Sequence, residues 1–191
     1  MTLRPLFEAL ADALDGDQEI ERHARVALRD TAPYAAYKGP HVPLAAPFLD
    51  VMARADAHPV CRLIATARFN WVPPQTSTDP EYIAVSRTKA HVELVGPGGI
   101  VVSDSIRLGL YGMLPNAEYG LRTHPAEEIY VMLAGDVYWQ RHPAPYQLQG
   151  PGSRSYHPSM MPHGNKTGAS AFMSVYVWHG DISTENYVYS G

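Results

Sequence analysis

Residues 119–135 read YGLRTHPAEEIYVMLAG, a stretch in which apolar and polar side chains alternate after Glu127. If residues 127–133 form a strand, Glu128 and Tyr130 share one face, because strand side chains alternate with period two. Ile129 and Val131 then share the opposite face. His124 stands four residues before Glu128, where the end of a preceding strand or its turn carries it to the same pocket. Imidazole and carboxylate donors on a rigid sheet suit a divalent transition metal. A phenolate can join them, since a nearby cation favours the deprotonated form.

A second stretch, YHPSMMPHG at residues 156–164, follows the turn Gly150-Pro151-Gly152. One histidine from it would complete a site with ligands from separate strands. His157 and His163 are six residues apart, so strand alternation alone does not separate them.

Outward from these segments the pattern stays short and alternating. His91–Val95, Ile106–Tyr111, Glu128–Trp139, Tyr146–Leu148 and Ala171–Trp178 read as strands. The turns between them are rich in glycine and proline. Such spacing indicates an antiparallel sandwich or barrel. The N-terminal part has another period. Leu3, Leu6, Phe7, Leu10 and Leu14 form one helical stripe, broken at Asp15-Gly16-Asp17, and residues 47–68 look helical again with a break near His58-Pro59. The expected organisation is a helical extension over residues 1–75, packed on a β-barrel over residues 76–191 that holds the metal site. The extension is also the expected place for a homodimer contact.

Composition narrows the function classes. The chain has 191 residues, 46% of them hydrophobic and 18% charged, with a net charge of −4. That balance argues against nucleic acid or an anionic membrane as a partner. The one cysteine, Cys61, permits no disulfide within the chain and reads as a small buried apolar residue. The N-terminus lacks a secretory pattern, and no stretch approaches the ~20 apolar residues of a membrane span. A cytoplasmic protein is expected.

The two histidine segments together resemble the paired motifs of the cupin superfamily. His124, Glu128 and Gly135 fall at the second histidine, the glutamate and the closing glycine of the first motif. Pro158 and His163 fit the second, with Met160 where glycine is usual. The first histidine of the first motif is Arg122 here, and arginine stays protonated, so it is no practical ligand. Tyr130 is the natural replacement donor. His-x-x-x-Glu-x-Tyr, with Tyr119 upstream and a helical extension, is similar to the cupin lyases of dimethylsulfoniopropionate (DMSP). The resemblance implies a metal held by His124, Glu128, Tyr130 and His163, and a tyrosine base, Tyr130 or Tyr119. It further implies cleavage to dimethyl sulfide and acrylate. That family has a histidine where Arg122 stands.

The chemistry fits a small zwitterionic or acidic substrate. A carboxylate on a metal makes its α proton more acidic, and sulfonium is a good leaving group. Aromatic faces attract a cation. Trp139, Trp178, Tyr138 and Tyr111 are the candidates, while Arg122 can grip a carboxylate. The ligands admit zinc, manganese, iron or nickel. Two rival readings share the fold: a metal-dependent dioxygenase or isomerase on another small acid, and a lyase-like binding protein without this activity. Glu127 is expected to be a solvated charge, His142 exposed and His179 structural. His23, His41, His58 and His91 are read as ordinary surface or core residues.

Overall fold

The computed structural model describes residues 1–191. Five helices come first: α1 (Arg4–Ala13), α2 (Glu19–Thr31), α3 (Ala46–Met52), α4 (Cys61–Thr66) and α5 (Pro80–Ser86). Eleven strands follow: β1 (Lys89–Gly96), β2 (Val101–Val102), β3 (Ile106–Met113), β4 (Glu118–Thr123), β5 (Glu127–Gly135), β6 (Val137–Arg141), β7 (Gln147–Gln149), β8 (Arg154–His157), β9 (His163–Lys166), β10 (Phe172–His179) and β11 (Val188–Tyr189). They form two sheets, in the orders β2-β1-β3-β10-β5-β8 and β11-β4-β9-β6-β7. All pairings are antiparallel except β1 with β2. The fold is a mainly β jelly roll of the cupin type, carrying N-terminal helices.

The period-two reading of β5 is visible in the packing. Ile129, Val131 and Leu133 join Leu108, Leu110, Val175 and Val177 in one apolar cluster with Leu6, Phe7, Leu10, Ile20, Leu28 and Phe48 of the helices. Tyr130 and Met132 face the other way, into a second cluster with Tyr111, Tyr119, Trp139, Phe172, Tyr176 and Trp178. The helices thus bury their stripe on the outer face of the larger sheet. The inner face is left to aromatic side chains. Cys61 is buried in the first cluster, and burial pushes its thiol up to about 12.

Helix α5 was not anticipated. Its start is nevertheless written in the sequence. The Asp79 carboxylate accepts hydrogen bonds from the backbone N–H groups of Glu81 (2.7 Å) and Tyr82 (3.2 Å), and Pro80 sits at the first helical position. Seven residues give too short a period to read against the alternation that follows. The helix plants Tyr82 against the rings of Tyr119, Tyr187 and Tyr189. At the end of β5, Gly135 takes φ +70°, a region open to glycine at little cost, and so allows the tight passage into β6. No helix is long and apolar enough to cross a membrane.

Candidate metal centre and its cavity

Directly opposed residues in an antiparallel ladder point to the same face. Trp178, Glu128 and His157 form one such row across β10, β5 and β8, and Tyr176, Tyr130 and Ser155 form the next. In the smaller sheet, Arg122 of β4 lies opposite His163 of β9, and Tyr119 opposite Asn165. Tyr119 and Arg122 are three apart and would normally face opposite ways. The register shifts between them, so both turn inward. Gly120 sits in that irregularity, where a Cβ would collide with the backbone of Gly191.

His124, Glu128 and His163 converge, with one ligand atom from each within 4.8 Å of the others, and all three are buried. His124 Nδ1 pairs with the carbonyl oxygen of Ala126 at 3.1 Å, and His163 Nδ1 with that of Met161 at 2.7 Å. A carbonyl only accepts, so each Nδ1 carries the proton and each Nε2 keeps its lone pair. Those Nε2 atoms are buried and lack a hydrogen-bond partner, yet lie 3.5 and 3.0 Å from Oε2 of Glu128. Two lone pairs facing a carboxylate oxygen repel unless a cation stands between them. The donor set therefore fits a divalent metal, and the backbone carbonyls supply the outer contacts that orient ligating histidines.

Glu128 is fixed from its other side by Trp178, whose Nε1–H donates to Oε1 at 2.5 Å. Burial works to raise its pKa, yet the carboxyl is held well below the usual range, and His157 Nδ1 is the ring nitrogen free to donate to it. The sequence offered no sign of this tryptophan contact, because fifty residues separate the partners. His157 lies 3.3 Å from Glu128 Oε2 through Nδ1 and 2.9 Å from Ser155 Oγ through Nε2. Both its nitrogens are engaged, and its ring stacks on His163 at 4.1 Å. It supports the centre from behind.

A cavity of about 690 Å³ opens beside these ligands, lined by Tyr111, Tyr119, Arg122, Glu128, Tyr130, Tyr176, Trp178 and Tyr187, with His91 and Arg107 further out. Tyr130 is buried next to Glu128. Burial first, and the Glu128 charge second, hold its phenol protonated, while Arg122 acts the other way. Tyr119 is likewise held well above its ordinary pKa, by burial and then by Tyr187, to whose hydroxyl its own is bonded. Trp139 lies behind the wall, 4.4 Å from the Tyr130 ring, and Tyr138 points away from it; neither lines the cavity.

Two sequence readings change. His91 is no ordinary residue: its Nε2 is 2.7 Å from the Tyr176 hydroxyl, and both line the cavity. Glu127 is no free surface charge. It accepts from Tyr156 (2.7 Å) and pairs with His179 (2.8 Å), which ties β5 to β8 and β10. His142 is exposed as expected.

The DMSP lyase family model matches residues 20–173. The DMSP lyase DddQ of Ruegeria pomeroyi is 38% identical over 91 residues, 48% of this chain but only 45% of that protein's length. A structure from a crystallographic study of the DMSP lyases RdDddP and RnDddQII is 22% identical and superposes with a TM-score of 0.71, covering 100% of this chain and 98% of that one. The crystal structure of R. pomeroyi DddQ is 24% identical, with a TM-score of 0.63 over 97% and 96% of the two chains. These superpositions speak to fold, while the family match spans most of the sequence. The chain belongs to the DMSP lyase family.

Proposed function

We propose that the protein is a metal-dependent carbon–sulfur lyase that cleaves DMSP to dimethyl sulfide and acrylate by a tyrosine-initiated β-elimination. The observation that carries the reading is Tyr130 beside the His124–Glu128–His163 cluster, facing an aromatic cavity. The likeness to DddQ supports the substrate.

A divalent ion at the cluster supplies positive charge that polarises a bound acid and lowers the pKa of a neighbouring phenol. The chain's own residues do the rest. Tyr130 takes the proton α to the substrate carboxylate. The C–H electron pair becomes the Cα=Cβ bond, and the Cβ–S pair leaves on sulfur as neutral dimethyl sulfide. Tyr111, Tyr176, Trp178 and Tyr187 offer ring faces to the sulfonium. Tyr119, bonded to Tyr187 rather than placed at Glu128, shapes the wall.

The test is direct. Purified protein supplied in turn with zinc, manganese, iron or nickel is incubated with DMSP, and headspace dimethyl sulfide is measured. Release with at least one metal is expected. No release with any of them overturns the reading, and oxygen uptake with small acids would favour a dioxygenase instead.

A further inference from the structure

Arg122 is 1% exposed and forms part of the cavity wall. Neither Nη1 nor Nη2 has a hydrogen-bond partner. A guanidinium stays charged and carries its donors in a planar fork. Taking it out of water without acceptors is costly, and buried charges are as a rule paired. Ring faces offset part of that cost here: the guanidinium carbon is 4.0 Å from the Tyr119 centroid and 5.5 Å from that of Trp139. Rings attract the charge but leave the two N–H groups without oxygen acceptors.

No oxygen of the fold makes a hydrogen bond to either group. Glu128 is taken up by the histidines and the Trp178 indole. The hydroxyls of Tyr119 and Tyr187 are bonded to each other. Lys89, also against Tyr119, does not compete as a cation: burial, with Arg122 next, lowers its pKa to about 5. A single charged fork matches a flat monoanion with two oxygens better than a dianion.

We propose that Arg122 is the anion anchor of this cavity and binds the carboxylate of a short-chain acid through Nη1 and Nη2. This rests on the small-acid reading above and deepens it, because it fixes which end of the substrate meets which wall. The carboxylate lies at Arg122, and the cationic or apolar end lies among Tyr111, Tyr176 and Trp178. Arg122 then serves recognition at the position where the first cupin motif carries its first histidine.

Calorimetric titration of the full-length protein with propionate, an unreactive short carboxylate, and with propionamide, its neutral isostere, tests this. Both are run with zinc supplied and after chelation. Propionate is expected to bind in both states, and propionamide about tenfold more weakly or worse. Arg122→Gln should weaken propionate by about tenfold or more, the scale of a charge-assisted contact, and leave propionamide unchanged. If that variant fails to fold by circular dichroism, Arg122→Lys keeps the charge without the fork and should still weaken propionate by about threefold or more. Equal binding of propionate by wild type and folded variant overturns the assignment. So does equal binding of propionate and propionamide, or propionate binding that vanishes on chelation. Intact Arg122-dependent binding without dimethyl sulfide release would defeat the lyase reading alone.

Discussion

His163 Nε2 lies 3.0 Å from Oε2 of Glu128, while its Nδ1 is held 2.7 Å from the Met161 carbonyl oxygen. His157 approaches the same oxygen at 3.3 Å but has spent its other nitrogen on Ser155. The two histidines should therefore behave differently on truncation. His163→Ala, like Glu128→Ala, is expected to cut bound metal to about a tenth or less. His157→Ala removes only a supporting contact and should weaken metal binding by about tenfold at saturable affinity. Elemental analysis across a chelator series distinguishes them. Full metal retention by His163→Ala would show that the ligand set is wrong.

Trp178 carries a second prediction about the same carboxylate. Its indole N–H holds Glu128 Oε1, and its ring stacks on His124 at 4.1 Å. Trp178→Phe keeps a ring over His124 and deletes the donor. Metal affinity is expected to fall by about ten- to hundredfold, as for other outer contacts of metal ligands. Competition against a metal-binding dye measures it. An unchanged affinity would mean that the hydrogen bond does not orient the ligand.

Tyr130 separates binding from chemistry. Tyr130→Phe preserves the ring that packs on Trp139 and removes the hydroxyl near Glu128. Loss of a positioned proton acceptor costs about 10²- to 10⁴-fold in turnover. The expected result is a folded protein with dimethyl sulfide release down by at least about hundredfold. Tyr119→Phe loses a bond to Tyr187 and should lower turnover far less. The reverse order would make Tyr119 the base.

What could be read from the sequence follows from distance along the chain. Glu128 and Tyr130 are two apart, so strand period alone put them on one face. His124 and Glu128 lie within one strand–turn–strand passage. An antiparallel sandwich or barrel was readable because its turns and alternations are local, while the cupin jelly roll followed from the resemblance of the two histidine segments. His91 and Tyr176 are 85 residues apart and meet only because β1 and β10 flank β3 in one sheet. No local spacing encodes that pairing. The same holds for Trp178 on Glu128. The inward turn of Arg122 depends on a register irregularity at Gly120, which alternation counting cannot supply. Asp79-Pro80-Glu81, by contrast, was a legible helix start masked by the strands after it.

Lys89 is a stability liability. Its side chain is 4% exposed, and its Nζ lies over the rings of Tyr119 and Tyr82 with Ser86 Oγ at 3.4 Å. Burial lowers its pKa from 10.5 to about 5. Between those values the unfolded chain binds a proton that the folded chain lacks, so stability from this group climbs with pH across that window. Lys89→Met should raise stability at pH 7 by about 1–3 kcal/mol, a rise in Tm of a few degrees or more. The gain should be largest near pH 5 and shrink toward pH 10. Thermal melts across pH test both the sign and the slope; a gain that grows with pH would contradict them.

His91 should give a pH dependence confined to another window. Its ring touches Tyr176 on one side, and Arg107, itself paired with Glu93 at 2.9 Å, stands nearby in the same cavity wall. Burial first, and the Arg107 charge second, lower its pKa from 6.5 to about 4. The folded chain thus keeps a neutral imidazole that can accept the Tyr176 O–H, while the unfolded chain takes up a proton below 6.5. As pH falls from 6.5 to about 4, wild-type stability should drop through this residue by up to about 3 kcal/mol, and the contribution should level off below. His91→Gln keeps an acceptor for Tyr176 and cannot titrate. It should therefore remove that part of the acid sensitivity while costing little at pH 7. Urea unfolding of both proteins at pH 7, 5.5 and 4 measures the difference. Parallel stability curves would show that His91 is protonated in the fold, and its bond to Tyr176 would then have to run from the ring N–H to the phenol oxygen.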